Sequence, residues 1–316
     1  MASDPSGVLD PEDATAWAAL LRRDVADFNR QVQALEAGTR VSLRDADLAG
    51  LALRAARLDF CDLSGANLEG AEVDGLLLAK ARLENTRLGG LRGDGPWEAV
   101  RQLELLWKGA ARWNEMRAGR RAVAPMIMAD LSGADLGDAD LSGATLSGAC
   151  LDGARLGGCK LDDVQLIRAS LIGADLSGLR ARAVNLEEAV LVSASLDGAE
   201  LSHAILRGAH AAGASFVGVT LRGGEAMKLD APQAFFDRAN FDKTLLVEAQ
   251  LIGSSFRDAT LTRVVLDRAD LRGCTFIGAR FSETSIADAD IALARFQGVD
   301  GVDLSTARNA DQLATN

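Results

Sequence analysis

Tyrosine is absent from this chain, and the other aromatic residues are scarce. Aromatic side chains make up 4% of the 316 residues, whereas glycine occurs 32 times. The core must therefore be built mainly from small and aliphatic side chains. The two histidines, His203 and His210, leave little material for acid–base catalysis or for histidine-bound metals.

Long apolar runs and targeting signals are also lacking. No stretch approaches the roughly 18–20 apolar residues of a membrane helix, and the acidic, polar residues 1–13 do not match a secretory signal. Cys61, Cys150, Cys159 and Cys274 are scattered and form no CxxC pair. Such thiols are typical of a reducing compartment, so we expect a cytoplasmic protein that does not bind membranes.

Sequence motifs of enzymes are missing as well. We find no GxSxG, no P-loop, no dinucleotide fingerprint and no histidine cluster, so we expect no catalytic residues, no metal and no cofactor. The formal net charge of −11 disfavours direct binding to nucleic acid and favours a basic protein partner.

What the chain does have is a repeat of five residues. A large side chain stands at every fifth position from Leu131 to Phe296; 30 of these 34 positions hold Leu, Ile or Phe, and the other four hold Ala. A small residue stands two positions earlier in most repeats. Neither a helix nor a flat strand has this period. A chain that turns a corner every five residues does, and four sides would close a square coil of about 20 residues that stacks at about 4.8 Å.

The A(D/N)Lxx pattern, clearest in residues 129–136 (ADLSGADL), resembles the pentapeptide-repeat family. The resemblance covers most of the chain and implies an all-β solenoid with added helices, built on a right-handed quadrilateral β-helix. The family has no conserved catalytic residues to carry over. Its best-known members are acidic rods that occupy the DNA-binding surface of DNA gyrase and topoisomerase IV and protect these enzymes from fluoroquinolones.

The repeat occurs in two blocks, each preceded by a predicted α-helix. Ten earlier repeats place a large residue at every fifth position from Leu43 to Leu88, but these positions are out of register with those of the later repeats. Apolar residues at steps of three and four predict amphipathic helices from about Pro11 to Ala37 and from Pro96 to Gly119. Residues 20–29 and 105–114 of these helices align at a constant offset of 85. The predicted segments are an N-terminal capping helix (1–40), a short repeat block (41–91), a Trp-rich helical insertion (92–128), a long β-helix (129–300) and a tail (301–316).

Three tryptophans, Trp97, Trp107 and Trp113, lie in the second helix. Such a helix either caps the open edge of a coil stack or docks a protein partner. Exposure of Trp107 or Trp113 would indicate docking.

Irregular positions in the long block provide further candidate interaction residues. We predict a stripe of outward apolar residues on one side of the rod. It is either a docking surface or a set of scattered apolar residues that the fold tolerates. The stripe comprises Ile167, Ile205, Leu245, Val247 and Val265. Residues 222–234 depart from the alternation of one large and one small inward residue, so we expect a loop there. This loop is either a recognition site or a harmless insertion. Its candidate contact residues are Met227, Lys228, Leu229 and Asp230. Cys150 is the one thiol that we expect to face outward and react readily.

Two functions remain open at this stage. The first is a non-enzymatic scaffold or adaptor that presents its helix, loop and side walls to a protein partner. The alternative is a DNA mimic that binds DNA gyrase or topoisomerase IV; Asp230, Asp270 and Asp290 share one side of the rod and would supply its acidic column, together with Asp130. The sequence is compatible with either a monomer or a homodimer.

Overall fold

The long repeat forms a four-sided stack of coils. The computed structural model describes residues 8–36, 38–95, 97–118 and 123–314. Parallel bridges join residues 20 apart along the whole stack, as from Asp130 to Cys150 and on to Ser170. Two pairs are long enough to count as strands, β1 (Ala52–Leu53) with β2 (Glu72–Val73) and β3 (Thr260–Thr262) with β4 (Arg280–Ser282). The predicted square coil is confirmed.

Four ladders of outward residues run along the stack. We call them walls A, B, C and D, after the ladders that begin at Asp130, Asp135, Asp140 and Thr145. Because four consecutive pentapeptides close one turn, wall A is opposite wall C, and wall B is opposite wall D.

Each corner of a coil is a hydrogen-bonded turn. The amide of Ala134 donates to the carbonyl of Leu131 at 3.1 Å, and the intervening Gly133 has φ +69°, a conformation that glycine adopts without strain. The carboxylate of Asp130 accepts from the amide of Ser132 at 3.0 Å. An Asp or Asn before the large residue thus satisfies a corner amide, which explains the second letter of A(D/N)Lxx.

The large and small residues of each repeat fill the interior. Leu131, Leu136 and Leu141 are fully buried, as are the alanines two positions before them. In two repeats the large and the small inward residue exchange positions. Leu179 stands two residues before Ala181, and Leu229 stands two residues before Ala231; all four side chains are buried.

The predicted loop at residues 222–234 is wrong. Turns and bridges continue through this segment without interruption, because the missing volume at Ala226 and Ala231 is supplied by Phe236 and Phe241 on the opposite sides of the same coil. Leu229, a predicted contact residue, is therefore a core residue.

Phenylalanines form a continuous stack inside wall B. The rings follow one another every coil, with centroids 4.8–4.9 Å apart and planes within 18° of parallel; they belong to Phe216, Phe236, Phe256, Phe276 and Phe296. The spacing equals the distance between stacked coils, so backbone pairing holds the rings in contact.

The short repeat block joins the long one along wall A. Its wall A ladder runs from Ser42 through Asp62 to Arg82 and then to Asp130. Asp130 follows Arg82 by 48 residues instead of 20, and the additional 28 residues shift the repeat phase. Within the short block, one side of a coil is replaced by the helical turn α3 (Gly75–Leu78).

Both predicted long helices are broken into two. The first consists of α1 (Ala14–Arg23) and α2 (Val25–Ala34), and the second of α4 (Trp97–Trp107) and α5 (Ala110–Arg117). The breaks lie at Asp24, whose backbone is extended, and at Gly109, with φ +100°. These two positions correspond under the offset of 85. The predicted ends at Ala37, Pro96 and Gly119 lie outside the described residues.

The tail closes the last coil. Two short 3-10 helices, Leu304–Thr306 and Ala310–Gln312, follow the stack. The amide of Ile291 donates to the carbonyl of Arg308 at 3.2 Å, and that of Leu293 donates to the carbonyl of Gln312 at 2.8 Å. The tail therefore covers edge groups that a further coil would otherwise pair.

Neighbouring phenylalanines test the core model. Phe236 is fully buried, whereas Phe235 is 50% exposed. Phe236→Ala should lower the free energy of unfolding by about 3–5 kcal/mol through the cavity it leaves, and Phe235→Ala by less than about 0.5 kcal/mol. Denaturation of dilute protein by guanidinium measures both. Equal effects of the two substitutions would contradict an inward Phe236.

Candidate interaction surfaces

Two asparagines bind the open edges of the coils. The Asn29 amide donates to the carbonyl of Ala55 at 2.7 Å and accepts from the amide of Arg57 at 2.9 Å. Asn114 donates to the carbonyl of Asp138 at 2.9 Å and accepts from the amide of Asp140 at 2.8 Å. Each side chain imitates the peptide group of a missing coil. The sequence analysis did not single out these asparagines, although they are paired by the offset of 85.

Larger side chains support the same two caps. Arg22 donates to the carbonyl of Asp47 beneath α1. Arg117 donates to the carbonyls of Asp140, at 3.1 Å, and Ser142, at 2.8 Å, beneath α5. At the equivalent positions of the two helix pairs, Phe28 and Trp113 are both fully buried. The two helix pairs therefore make the same kind of contact with the coil edge.

The three candidate tryptophans take part in this packing. Trp113 is fully buried, and its indole nitrogen donates to the carbonyl of Asp140 at 2.7 Å. Trp97 is half-buried and donates to the carbonyl of Gly93 at 3.1 Å. Trp107 is half-buried, with the guanidinium of Arg82 5.2 Å from its ring centroid. Trp113 is thus unavailable as a contact residue, because its ring is part of the core.

The structure brings together only part of the predicted apolar stripe. Leu245 and Val265 are direct neighbours on wall D, and Ile205 is separated from Leu245 by Glu225. Leu245 is 37% exposed and Val265 is half-buried. Ile167 stands four coils from Val247 and belongs to no common patch with it.

Residue 227 adds to this surface from the neighbouring corner. The amide of Lys228 donates to the carbonyl of Val247 at 2.9 Å, so Met227 and Val247 belong to adjacent coils. Both side chains are half-buried, and Lys228 is exposed. We call Met227, Leu245, Val247 and Val265 the wall D patch.

The predicted acidic column lies on wall A, but its charges have partners. Asp230 lies 3.1 Å from His210, and Asp270 accepts two bonds from Arg272 at 2.8 and 2.6 Å. Asp290 accepts from Asn309 at 2.8 Å, which holds its pKa below the usual range. Asp130 is buried and paired with Arg40. The column therefore carries weaker negative potential than its sequence indicates.

Many other carboxylates are structural. Asp152, for example, accepts from the amide of Ile172 at 2.9 Å and from the hydroxyl of Ser170 at 2.5 Å. The same contact, with a serine 18 residues after the aspartate and an amide 20 residues after it, recurs at three further corners; these belong to Asp197, Asp237 and Asp267. That spacing of 18 could have been found in the sequence.

Ion pairs between successive coils neutralise further acids. Because coils repeat every 20 residues, a base can stand directly beside an acid of the next coil, as Arg168 stands 2.6 Å from Glu188 and Arg222 stands 3.2 Å from Asp242. Each exposed pair contributes little stability, typically below about 1 kcal/mol. Together they interrupt any continuous negative surface.

Buried thiols are locked in the core. Cys159 and Cys274 donate to the carbonyls of Leu136 and Leu251, and burial raises the pKa of Cys61, Cys159 and Cys274 to about 12. Cys150 faces outward but is half-buried, and burial raises its pKa as well. The ready reactivity predicted for Cys150 is not supported by this environment, because burial disfavours its thiolate.

Surface depressions lie mostly where helices meet coils. Four of them have volumes of about 190 to 440 Å³. Among the described residues, no three His, Cys, Asp or Glu side chains are grouped so as to hold a metal ion. None of the described helices combines the length and apolarity needed to cross a membrane.

This geometry defines a class of protein, a β-solenoid of square coils with helical caps. A family model described as pentapeptide repeats matches eight copies in the chain, over residues 39–75, 129–158, 149–187, 185–223, 231–263 and 265–300. The matches cover more than half of the chain, and the protein belongs to the pentapeptide-repeat family. The resemblance inferred from the sequence is confirmed, and with it the right-handed quadrilateral β-helix of this family.

Solved structures of other pentapeptide-repeat proteins resemble the chain. HetL from the cyanobacterium Nostoc, involved in regulating heterocyst differentiation, is 24% identical, with 88% of this chain and 98% of HetL covered and a TM-score of 0.33. Trypsin-treated QnrB1, a plasmid-mediated fluoroquinolone resistance protein, is 14% identical, with 86% and 91% covered and a TM-score of 0.43. Both scores are low, so the assignment rests on the repeats. The search of curated proteins found no significant match.

The two edge-binding asparagines can be tested against each other. Asn114→Ala leaves the edge amide of Asp140 without its acceptor, at a local cost of about 1–3 kcal/mol, so hydrogen exchange there should accelerate about tenfold or more. Asn29→Ala should accelerate exchange at Arg57 and leave Asp140 unchanged. If either substitution leaves exchange at its own edge unaltered, the capping role is wrong.

Proposed function

We propose that this protein is a non-enzymatic scaffold whose walls bind a protein partner. The interior is filled by the repeat side chains, and the helices and tail are engaged in closing coil edges. The outer walls are the surfaces that vary freely from coil to coil. Binding through the walls of a rigid rod is typical of solenoid proteins.

The observation that carries this proposal is the wall D patch. Leu245 and Val265 are adjacent on the wall, and Met227 and Val247 are adjacent on its corner, so four apolar residues lie side by side on the surface of the rod. Glu225 and Glu248 border the patch. Glu225 lies 3.8 Å from Arg207, and Glu248 lies 2.9 Å from Arg268, so the border carries charges of both signs. A partner with an apolar contact and a rim of mixed charge would fit it.

Photo-crosslinking tests the proposal. A photoreactive amino acid at Val247 should yield a discrete protein adduct in cells, and Leu245→Glu should suppress it by placing a charge in the contact. The same label at Thr220, on wall C, is the matched control. Absence of an adduct at Val247, or equal adducts at both positions, would sink the proposal.

DNA mimicry is the second candidate function. It is favoured by wall A, whose ladder from Asp130 to Asp290 holds four acids and no Lys or Arg. Duplex DNA places one charge about every 1.7 Å, roughly 24 over a 40 Å rod. The long block carries 24 acidic and 16 basic residues, a net charge of −8. A DNA mimic would therefore have to bind through wall A only. The carboxylates of wall A would first have to leave the side chains that they contact in this structure.

A supercoiling assay decides this second function. A gyrase-binding mimic should inhibit DNA supercoiling, or restore it in the presence of ciprofloxacin, at micromolar protein. Neutralising wall A should remove the effect; the variant is Asp230→Asn, Asp270→Asn and Asp290→Asn. A variant of equal charge on other surfaces should retain it; this control is Asp163→Asn, Glu200→Gln and Glu283→Gln. No effect of the unmodified protein eliminates the mimic.

A further inference from the structure

A cavity of about 320 Å³ lies between the last coil of the short block and α4. We call it the α4 cavity. One side is the coil corner of residues 88–91, and the other side is one face of α4. That face comprises Trp97, Val100, Arg101 and Glu104, whose spacing of three and four residues places them on the same side of the helix. The volume is at the lower end of the roughly 300–1,000 Å³ of ligand pockets, so a ligand would be small.

Two backbone amides of this corner lack the acceptor that the repeat supplies elsewhere. One coil earlier, the amides of Leu68 and Gly70 donate to carbonyls of the following coil at 2.9 and 2.7 Å. Leu88 and Gly90 are the equivalent residues of the last coil. Because α4 follows in place of a further coil, neither amide has an acceptor among the residues that the structure describes. By the same repeat, both N–H groups are directed toward the α4 cavity.

The far end of the rod shows how such amides are satisfied within the chain. There the equivalent amides of Ile291 and Leu293 donate to carbonyls of the tail, which replace the missing coil. The helix α4 cannot do the same, because the carbonyls along a helix accept from its own amides. The acceptor for Leu88 and Gly90 therefore comes from solvent or from a bound molecule.

A positive charge lies on the helix side of the cavity. Arg101 is exposed and forms no ion pair with any residue of the described ranges. Glu104, the acid of the same helix face, lies 2.5 Å from Lys108, which offsets its charge. Residues 92–128 contain seven basic and four acidic residues, although the chain as a whole has a net charge of −11. An anion therefore meets a more favourable potential here than over the rest of the chain.

Apolar side chains complete the lining. Leu88 holds an inward position but is only half-buried, because no coil follows it. Leu91 and Trp97 are also half-buried. The indole nitrogen of Trp97 donates to the carbonyl of Gly93 at 3.1 Å, which leaves the ring for apolar contact. The cavity thus combines hydrogen-bond donors and a cation with an apolar surface.

We propose that the α4 cavity binds a carboxylate with a short apolar tail. The carboxylate oxygens would accept from the amides of Leu88 and Gly90 and from Arg101, since donors of this kind bind an ionised acceptor most strongly. The tail would cover Leu91 and Trp97. An ammonium group would face the charge of Arg101, and a purely apolar molecule would leave both amides without an acceptor.

A carboxylate of this kind occurs in free aliphatic acids and at the C-terminus of a peptide. Hexanoate represents the first source, and N-acetylleucine represents the second. The proposal goes beyond the scaffold function, since it concerns a cavity and a small ligand rather than wall D, and either can fail without the other.

An NMR titration of isotope-labelled protein tests the site. At least one of the two acids should bind with a dissociation constant of about 1 mM or below, and it should shift the amide signals of Leu88 and Gly90 downfield. Hexanamide, the neutral analogue of hexanoate, should bind about tenfold more weakly than the acid or not at all. Binding of hexanoate identifies a free acid as the ligand, and binding of N-acetylleucine alone identifies a chain terminus.

Phe296 and Gly298 provide matched control amides. They hold the same positions in the last coil of the long block and also have no acceptor among the described residues, but they lie at the far end of the rod from α4. Their signals should stay in place. The proposal is overturned if neither acid shifts Leu88 and Gly90, if the control amides shift equally, or if the neutral amide binds as well as the acid.

Substitution of Arg101 tests the cation. Arg101→Gln should raise the dissociation constant about fivefold or more through loss of a charge-assisted bond. Arg112→Gln removes the same charge from α5, where Arg112 lies 3.1 Å from Glu115, and should leave binding within about twofold because salt screens the distant charge. Unshifted control amides verify that both variants stay folded. Equal weakening by the two substitutions would show that net charge attracts the acid, contrary to the proposal.

Discussion

The inward side chain at every fifth position is the interaction on which the whole structure depends. Each one fills the axis of a square coil and contacts the equivalent residue 20 positions before and after it. Removing such a residue opens a cavity in a narrow core that cannot collapse. At Leu229 and Ala231 the large and the small residue exchange places and both stay buried, so a coil can place its bulk at either inward position.

Stacked coils leave open edges at their ends, and much of the remaining chain closes them. The helix pairs α1–α2 and α4–α5 do so with asparagine and arginine side chains, and the tail does so with its backbone. A backbone amide or carbonyl that lost its partner at such an edge would cost stability and invite association. Capping explains why Trp113 is buried and why the second helix pair interrupts the repeat at the place where a new edge begins.

Most charge on the rod serves the coils or is neutralised by them. Carboxylates accept amides at the corners, and acids pair with bases one coil away. A high count of acidic residues therefore overstates the negative potential that a partner would meet. The wall D patch stands out because its four residues carry no charge.

The sequence alone determined the square coil, because a period of five with one large and one small inward residue fits no other regular structure. It also predicted helices related by an offset of 85, which aligns Asn29 with Asn114, but it did not mark either asparagine as a residue that binds a coil edge. The two breaks were missed, although Asp24 caps α2 with its own side chain and Gly109 has a φ that favours glycine. Nor could it show that residues 222–234 stay in the stack, because the compensating phenylalanines lie on other sides of the coil. The pairing of Asp230 with His210, and the neighbouring positions of Leu245 and Val265 in the wall D patch, were decided by the tertiary structure, which places residues 20 positions apart side by side.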